Sequence, residues 1–158
     1  MKKIVLALAL GTLVSTGAVA EQWYMYATYP KHMQFVNLDD IKCHGSRCIT
    51  WTGTINIDRT KPYDCRLFKV EIDCENDKLR GMSFANFLKG NLVDSYKGTA
   101  VGDWEHAVYG TTNVPLIKAV CNPNSREEVR RYDFPDLPLV TPAIQKALRS
   151  MEERRAAK

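Results

Sequence analysis

Residues 48–58, CITWTGTINID, alternate closely, with Ile49, Trp51, Gly53, Ile55 and Ile57 on one side and Thr50, Thr52, Thr54 and Asn56 on the other. A period of two marks a half-buried β-strand, because successive side chains point to opposite faces of a sheet. After the loop RTKPYD, the stretch CRLFKVEIDCE (65–75) alternates again. Phe68, Val70, Ile72 and Cys74 are expected inward, Leu67, Lys69, Glu71 and Asp73 outward, and Cys65 falls in the outward register. These two segments make the chain a sheet protein before any other feature is weighed.

Further strands are expected at 23–28, 33–38, 78–90 (interrupted by Gly81) and 91–98. The polar, glycine-bearing stretch 101–114 reads mostly as loop. VPLIKAVC (114–121) reads as a short helix, with Thr112 or Asn113 as cap and Pro115 in its first turn. It turns Leu116, Val120 and Cys121 toward the sheet. Residues 122–140 carry three prolines and many charges and predict an extended linker. A C-terminal helix follows over 141–158, capped by Thr141 with Pro142 at its first position. Its apolar stripe of Ile144, Ala147, Leu148 and Met151 is narrow, as in a helix resting on its own domain.

The compartment comes from the first residues. Lys2 and Lys3, an apolar run from Ile4 to Val14 and the small residues Ala18-Val19-Ala20 make a secretory signal peptide, with cleavage expected between Ala20 and Glu21. The run is too short to cross roughly 30 Å of hydrocarbon, and no cysteine stands at the cleavage site to take a lipid. Removing those 20 residues from 158 leaves 138, one domain's worth, with 20 basic against 18 acidic side chains, a charge of +2. Nothing in that balance calls for nucleic acid, and no later segment would span a bilayer. The expected location is the periplasm, the cell surface or the medium, without a lipid anchor.

Five cysteines enter that oxidising compartment: Cys43, Cys48, Cys65, Cys74 and Cys121. In CHGSRC, Cys43 and Cys48 flank a four-residue loop between two short strands and read as a clip worth about 2 kcal/mol. A zinc site would need ligands beyond Cys43, His44 and Cys48, and His32 and His106 stand isolated in the chain. The odd count leaves one thiol either unbridged or linked to a second molecule, as in a homodimer. A catalytic reading would start from Cys65 with His106, or from Asp103-Trp104-Glu105-His106, but no flanking nucleophile or phosphate-loop signature supports it. The chain is therefore expected to be no enzyme and to hold no cofactor and no metal. Trp23, Tyr24, Tyr26 and Tyr29 read as core and sheet-edge residues rather than a binding face. Arg126, Arg130 and Arg131, interleaved with Glu127 and Glu128, read as a solvated charged face.

Several features in order resemble one family. Trp23-Tyr24 in a first strand, Asp39-Asp40-Ile41 after the second, a central Trp51, Cys74-Glu75 closing a strand and PLIKAVC ending at Cys121 are similar to the surface-adhesin E-like domain of Gram-negative bacteria, over about residues 22–121. The resemblance implies an α+β fold: a curved antiparallel sheet with a short helix tied across one face by a disulfide. It also implies the pair Cys74–Cys121, whose loop of roughly 48 residues gives about 4 kcal/mol, and leaves Cys65 as the odd thiol. The chain departs from the best-known, lipid-anchored adhesin by lacking the anchor cysteine and by carrying the tail 122–158. No ligand-binding residue of that adhesin is carried over. The function expected is that of an exported binding or accessory protein contacting host matrix or cell-surface macromolecules. The alternative is a periplasmic envelope factor that binds another bacterial protein through its C-terminal helix.

Overall fold

The computed structural model describes residues 22–57, 61–99, 102–133, 137–138 and 141–146. The leader with Ala20 and Glu21 lies outside them, as do residues 147–158 of the expected terminal helix.

The described residues form an antiparallel sheet: β1 (Gln22–Tyr29), β2 (His32–Asn37), β3 (Lys42–His44), β4 (Arg47–Asn56), β5 (Cys65–Asp73), β6 (Lys78–Leu88), β7 (Asn91–Lys97), β8 (Glu105–His106) and β9 (Arg130–Asp133). Its main path runs β7-β6-β5-β4-β2-β1-β9, with β3 paired to β4 and β8 to β6. Most neighbours are joined by short turns, so the order is a meander. Among the described residues β9 returns from farthest along the chain, to lie beside β1. One α-helix, α1 (Asn113–Cys121), and a 3-10 helix (Pro123–Glu128) stand between β8 and β9, and residues 141–146 are helical.

Local chemistry explains the turns. Gly45 at φ +62° opens a two-residue turn, so Cys43 faces Cys48 and His44 faces Arg47. That is tighter than the four-residue loop expected, because glycine reaches the left-handed region the turn favours. After β2, Asn37 Oδ1 accepts from the backbone N–H groups of Asp39 and Asp40 at 3.2 and 3.1 Å. The Asp39-Asp40-Ile41 turn is thus organised by the asparagine before it.

Two cores result, one on each face. The first joins Val36, Leu38, Val70, Ile72 and Leu79 to Leu116, Ile117, Ala119 and Val120 of α1. The second joins Trp23, Met33, Phe35, Ile55 and Cys65 to Leu137, with Ile144 packed against it. The outward assignment of Cys65 is corrected here: its side chain is fully buried. Glu71 and Asp73, also expected outward, are buried as well. For Cys65 the physical reason is the tail. Leu137 sits directly over Gly53, where any Cβ would collide with it, so the sheet's second face is roofed by residues far along the chain. Gln145 Nε2 donates to the Asn56 carbonyl, and Thr141 Oγ1 donates to the Leu137 carbonyl at 2.8 Å.

The linker expected over 122–140 is corrected too, since it holds the 3-10 helix and β9. Asn122 caps the 3-10 helix by accepting from the Asn124 N–H, with Pro123 at its first position. β9 then pairs with the exposed edge of β1, which satisfies backbone groups that a linker would leave to water. Residues 105–106, expected as loop, make a short ladder with Lys78 and Leu79.

Candidate functional site

Cys43 and Cys48 are bonded to one another, and so are Cys74 and Cys121. The first bridge removes both sulfurs from any metal reading of CHGSRC. The second joins the residue after β5 to the end of α1, across a Cα–Cα distance of 5.5 Å. Cys65 is a buried thiol.

Cys65 and His106, from which a catalytic reading would start, do not meet. Cys65 opens β5, whereas His106 pairs with Lys78 beside Asp73 at the strand's other end. Eight residues of strand separate the two positions, about 27 Å. His106 is exposed, as are Asp103 and Glu105. Glu105 and His106 pair with β6 through their backbone, and Trp104 is held by its side chain: the guanidinium of Arg80 lies 4.6 Å and that of Arg47 5.4 Å from its ring centre. Arg80 also donates to buried Glu71 through Nε at 2.7 Å and Nη2 at 2.6 Å. The indole therefore acts as a spacer between two cations and holds β8 against the sheet.

The N-terminal aromatics are consumed by structure. Trp23 is buried in the second core, Tyr24 and Tyr26 pack against the first, and Tyr29 stacks on His32 with ring centres 4.8 Å apart. Burial pushes the Tyr26 hydroxyl well above its ordinary pKa, with the neighbouring Tyr29 adding to the effect. Arg126 donates from Nε to the Ala119 carbonyl at 3.2 Å and so closes the end of α1. The side chains of Glu127, Glu128, Arg130 and Arg131 lie outside the described residues.

What the fold does bring together is a row across four strands. Trp51 on β4 faces Lys69 on β5, Lys69 faces Ser83 on β6, and Ser83 faces Lys97 on β7. The Cα atoms of Lys69 and Lys97 are thus two strand spacings apart, about 10 Å, with the Ser83 hydroxyl between them. A bulge in β6 beside Ser83 inserts Met82, which turns that strand locally into the wall of the groove. Trp51, Lys69, Met82, Ser83, Ser95 and Lys97 line a groove of about 330 Å³. The Lys69 ammonium lies 5.9 Å from the Trp51 ring centre. No acidic residue lines the groove, and neither lysine makes an ion pair among the described residues. Glu71, the nearest acid along β5, is already taken by Arg80.

The sequence reading missed this row. Trp51 and Lys69 appear in it only as members of alternating strands, and Ser83 and Lys97 do not stand out at all. Alternation gives each strand's faces, but the bulge that inserts Met82 shifts the β5–β6 register, so pairing read from the hairpins alone would not align Ser83 with Lys69.

No protein-family model, curated protein or solved structure matches the chain.

Proposed function

We propose that the chain is an exported, non-enzymatic binding module of the surface-adhesin E-like kind, with α1 strapped across one sheet face by Cys74–Cys121. Its working surface is the groove between Trp51 and Lys97, which it offers to host matrix or cell-surface macromolecules. Two closed disulfides fit an oxidising compartment outside the cytoplasm. The observation that carries the binding assignment is the pair Lys69 and Lys97, two cations aimed into one groove with no acid to answer them.

The alternative, an envelope factor docking through its C-terminal helix, has less support. Leu137 and Ile144 of that tail are turned into the protein's own second core rather than toward a partner. Fractionation of cells separates the two readings. Protein at the surface or in the medium, adhering to immobilised basement-membrane extract and losing that adhesion on Lys69→Glu with Lys97→Glu, is the expected result. Material confined to the periplasm, or adhesion indifferent to both lysines, would overturn the proposal.

A further inference from the structure

We infer that the groove takes an acidic saccharide, a sugar ring bearing a carboxylate or sulfate; this rests on the reading of the groove as the binding face. The argument starts from the order of the row: aromatic, cation, hydroxyl, cation. An anion seated over Ser83 is within reach of both flexible lysine side chains, and the Ser83 hydroxyl can donate to it from below. Ser83 is itself only 8% exposed, so that donor is set into the sheet rather than floating in water.

The rest of the wall selects what carries the anion. Trp51 and Met82 present apolar surface beside the lysines, while Ser95 adds a second hydroxyl. A pyranose matches this mixture, since its C–H face lies against an indole while its hydroxyls exchange hydrogen bonds with serines. Lysines hold a phosphate as readily as a sulfate, so what disfavours a bare phosphate is the apolar surface of Trp51 and Met82 that it would leave uncovered. An acidic peptide pairing along the β7 edge would reach Lys97 but not Trp51, three strands farther in. The volume suits one or two sugar rings, at the small end of ligand clefts.

The test titrates the mature protein with a heparin tetrasaccharide, an oligogalacturonate, maltotetraose, polyphosphate and poly-glutamate. Both acidic oligosaccharides should bind at least tenfold more tightly than the other three, and their ranking tells sulfate-bearing host glycans from carboxylate-only ones. Lys97→Gln should weaken that binding about tenfold, the loss of one charge-assisted contact, and Lys97→Glu should weaken it further by adding repulsion. Its side chain is exposed on an edge strand, so the unfolding midpoint should not move. Trp51→Phe should weaken binding by a smaller factor.

Equal binding of maltotetraose, tighter binding of polyphosphate or poly-glutamate, or no binding at all would sink the saccharide assignment. In those cases loss of matrix adhesion in Lys97→Glu would still uphold the binding face. Acidic sugars that bind equally well to Lys97→Glu and Lys69→Gln would sink both.

Discussion

Leu137 lies over Gly53 in the space where a side chain at that position would stand. A residue late in the chain is thereby matched to the one position of β4 that offers no Cβ. Gly53→Ala should cost about 1–3 kcal/mol through overpacking, and Leu137→Ala about 2–5 kcal/mol through lost burial and a cavity. The two costs should not add. With alanine at 137 the added methyl at 53 meets only Trp23 and Leu67, at ordinary contact distances of 3.4 and 3.5 Å, so the double variant should be no less stable than Leu137→Ala alone. Chemical denaturation of the four proteins measures this, and additive costs would show that the contact is absent.

The two disulfides nearly touch: Cys48 Sγ is 4.0 Å from Cys74 Sγ. Cys43→Ser therefore places a Cys48 thiolate beside the Cys74–Cys121 bond. Attack on the Cys74 sulfur forms Cys48–Cys74, breaks Cys74–Cys121 and leaves Cys121 as the thiolate. Acid quenching, unfolding and alkylation, followed by peptide mapping, should find label on Cys121 as well as on Cys48 and the buried Cys65. An unlabelled Cys121 would refute the exchange.

Cys65 is buried in the second core, so its thiol should resist alkylation in the native protein and react only on unfolding. A Cys65-linked dimer would have to open that core. Rapid labelling under native conditions, or a dimer band that disappears in Cys65→Ser on a non-reducing gel, would contradict this.

Asp73 organises the turn between β5 and β6. The side-chain amide of Asn76 above all, with the backbone N–H groups of Asn76 and Glu75 and the charge of Arg47, holds its carboxyl below the ordinary value of 3.8, against the opposing effect of burial. A depressed carboxylate stabilises above the unfolded-state pKa and loses that contribution as pH falls through the folded one. Acid should therefore erode wild-type stability below about pH 4. Asp73→Asn, which keeps an acceptor for the turn, should lack that part of the slope. Identical acid limbs in urea melts at pH 2–5 would disprove the role.

How far these features were legible differs by residue. Trp51, Val70 and Ile72 could be placed from alternation, because a strand's faces follow from its own sequence. The hairpin clip was equally local. The covering of Cys65, Glu71 and Asp73 was not, since the periodicity of β5 says which side chains share a face and nothing about what later lies on it. Residues 130–133 read as linker for the same reason: their proline-bearing surroundings hide a short strand whose partner is β1, at the other end of the chain.

By itself the amino-acid sequence determined the longer strands, the short helix and the Cys43–Cys48 clip, all set by interactions within a few residues. Only the tertiary structure decided that the tail roofs a second core, and that Lys69, Ser83 and Lys97 stand in one row beside Trp51. Those outcomes depend on strand register and on contacts between distant segments, and neither is written in any local window of the chain.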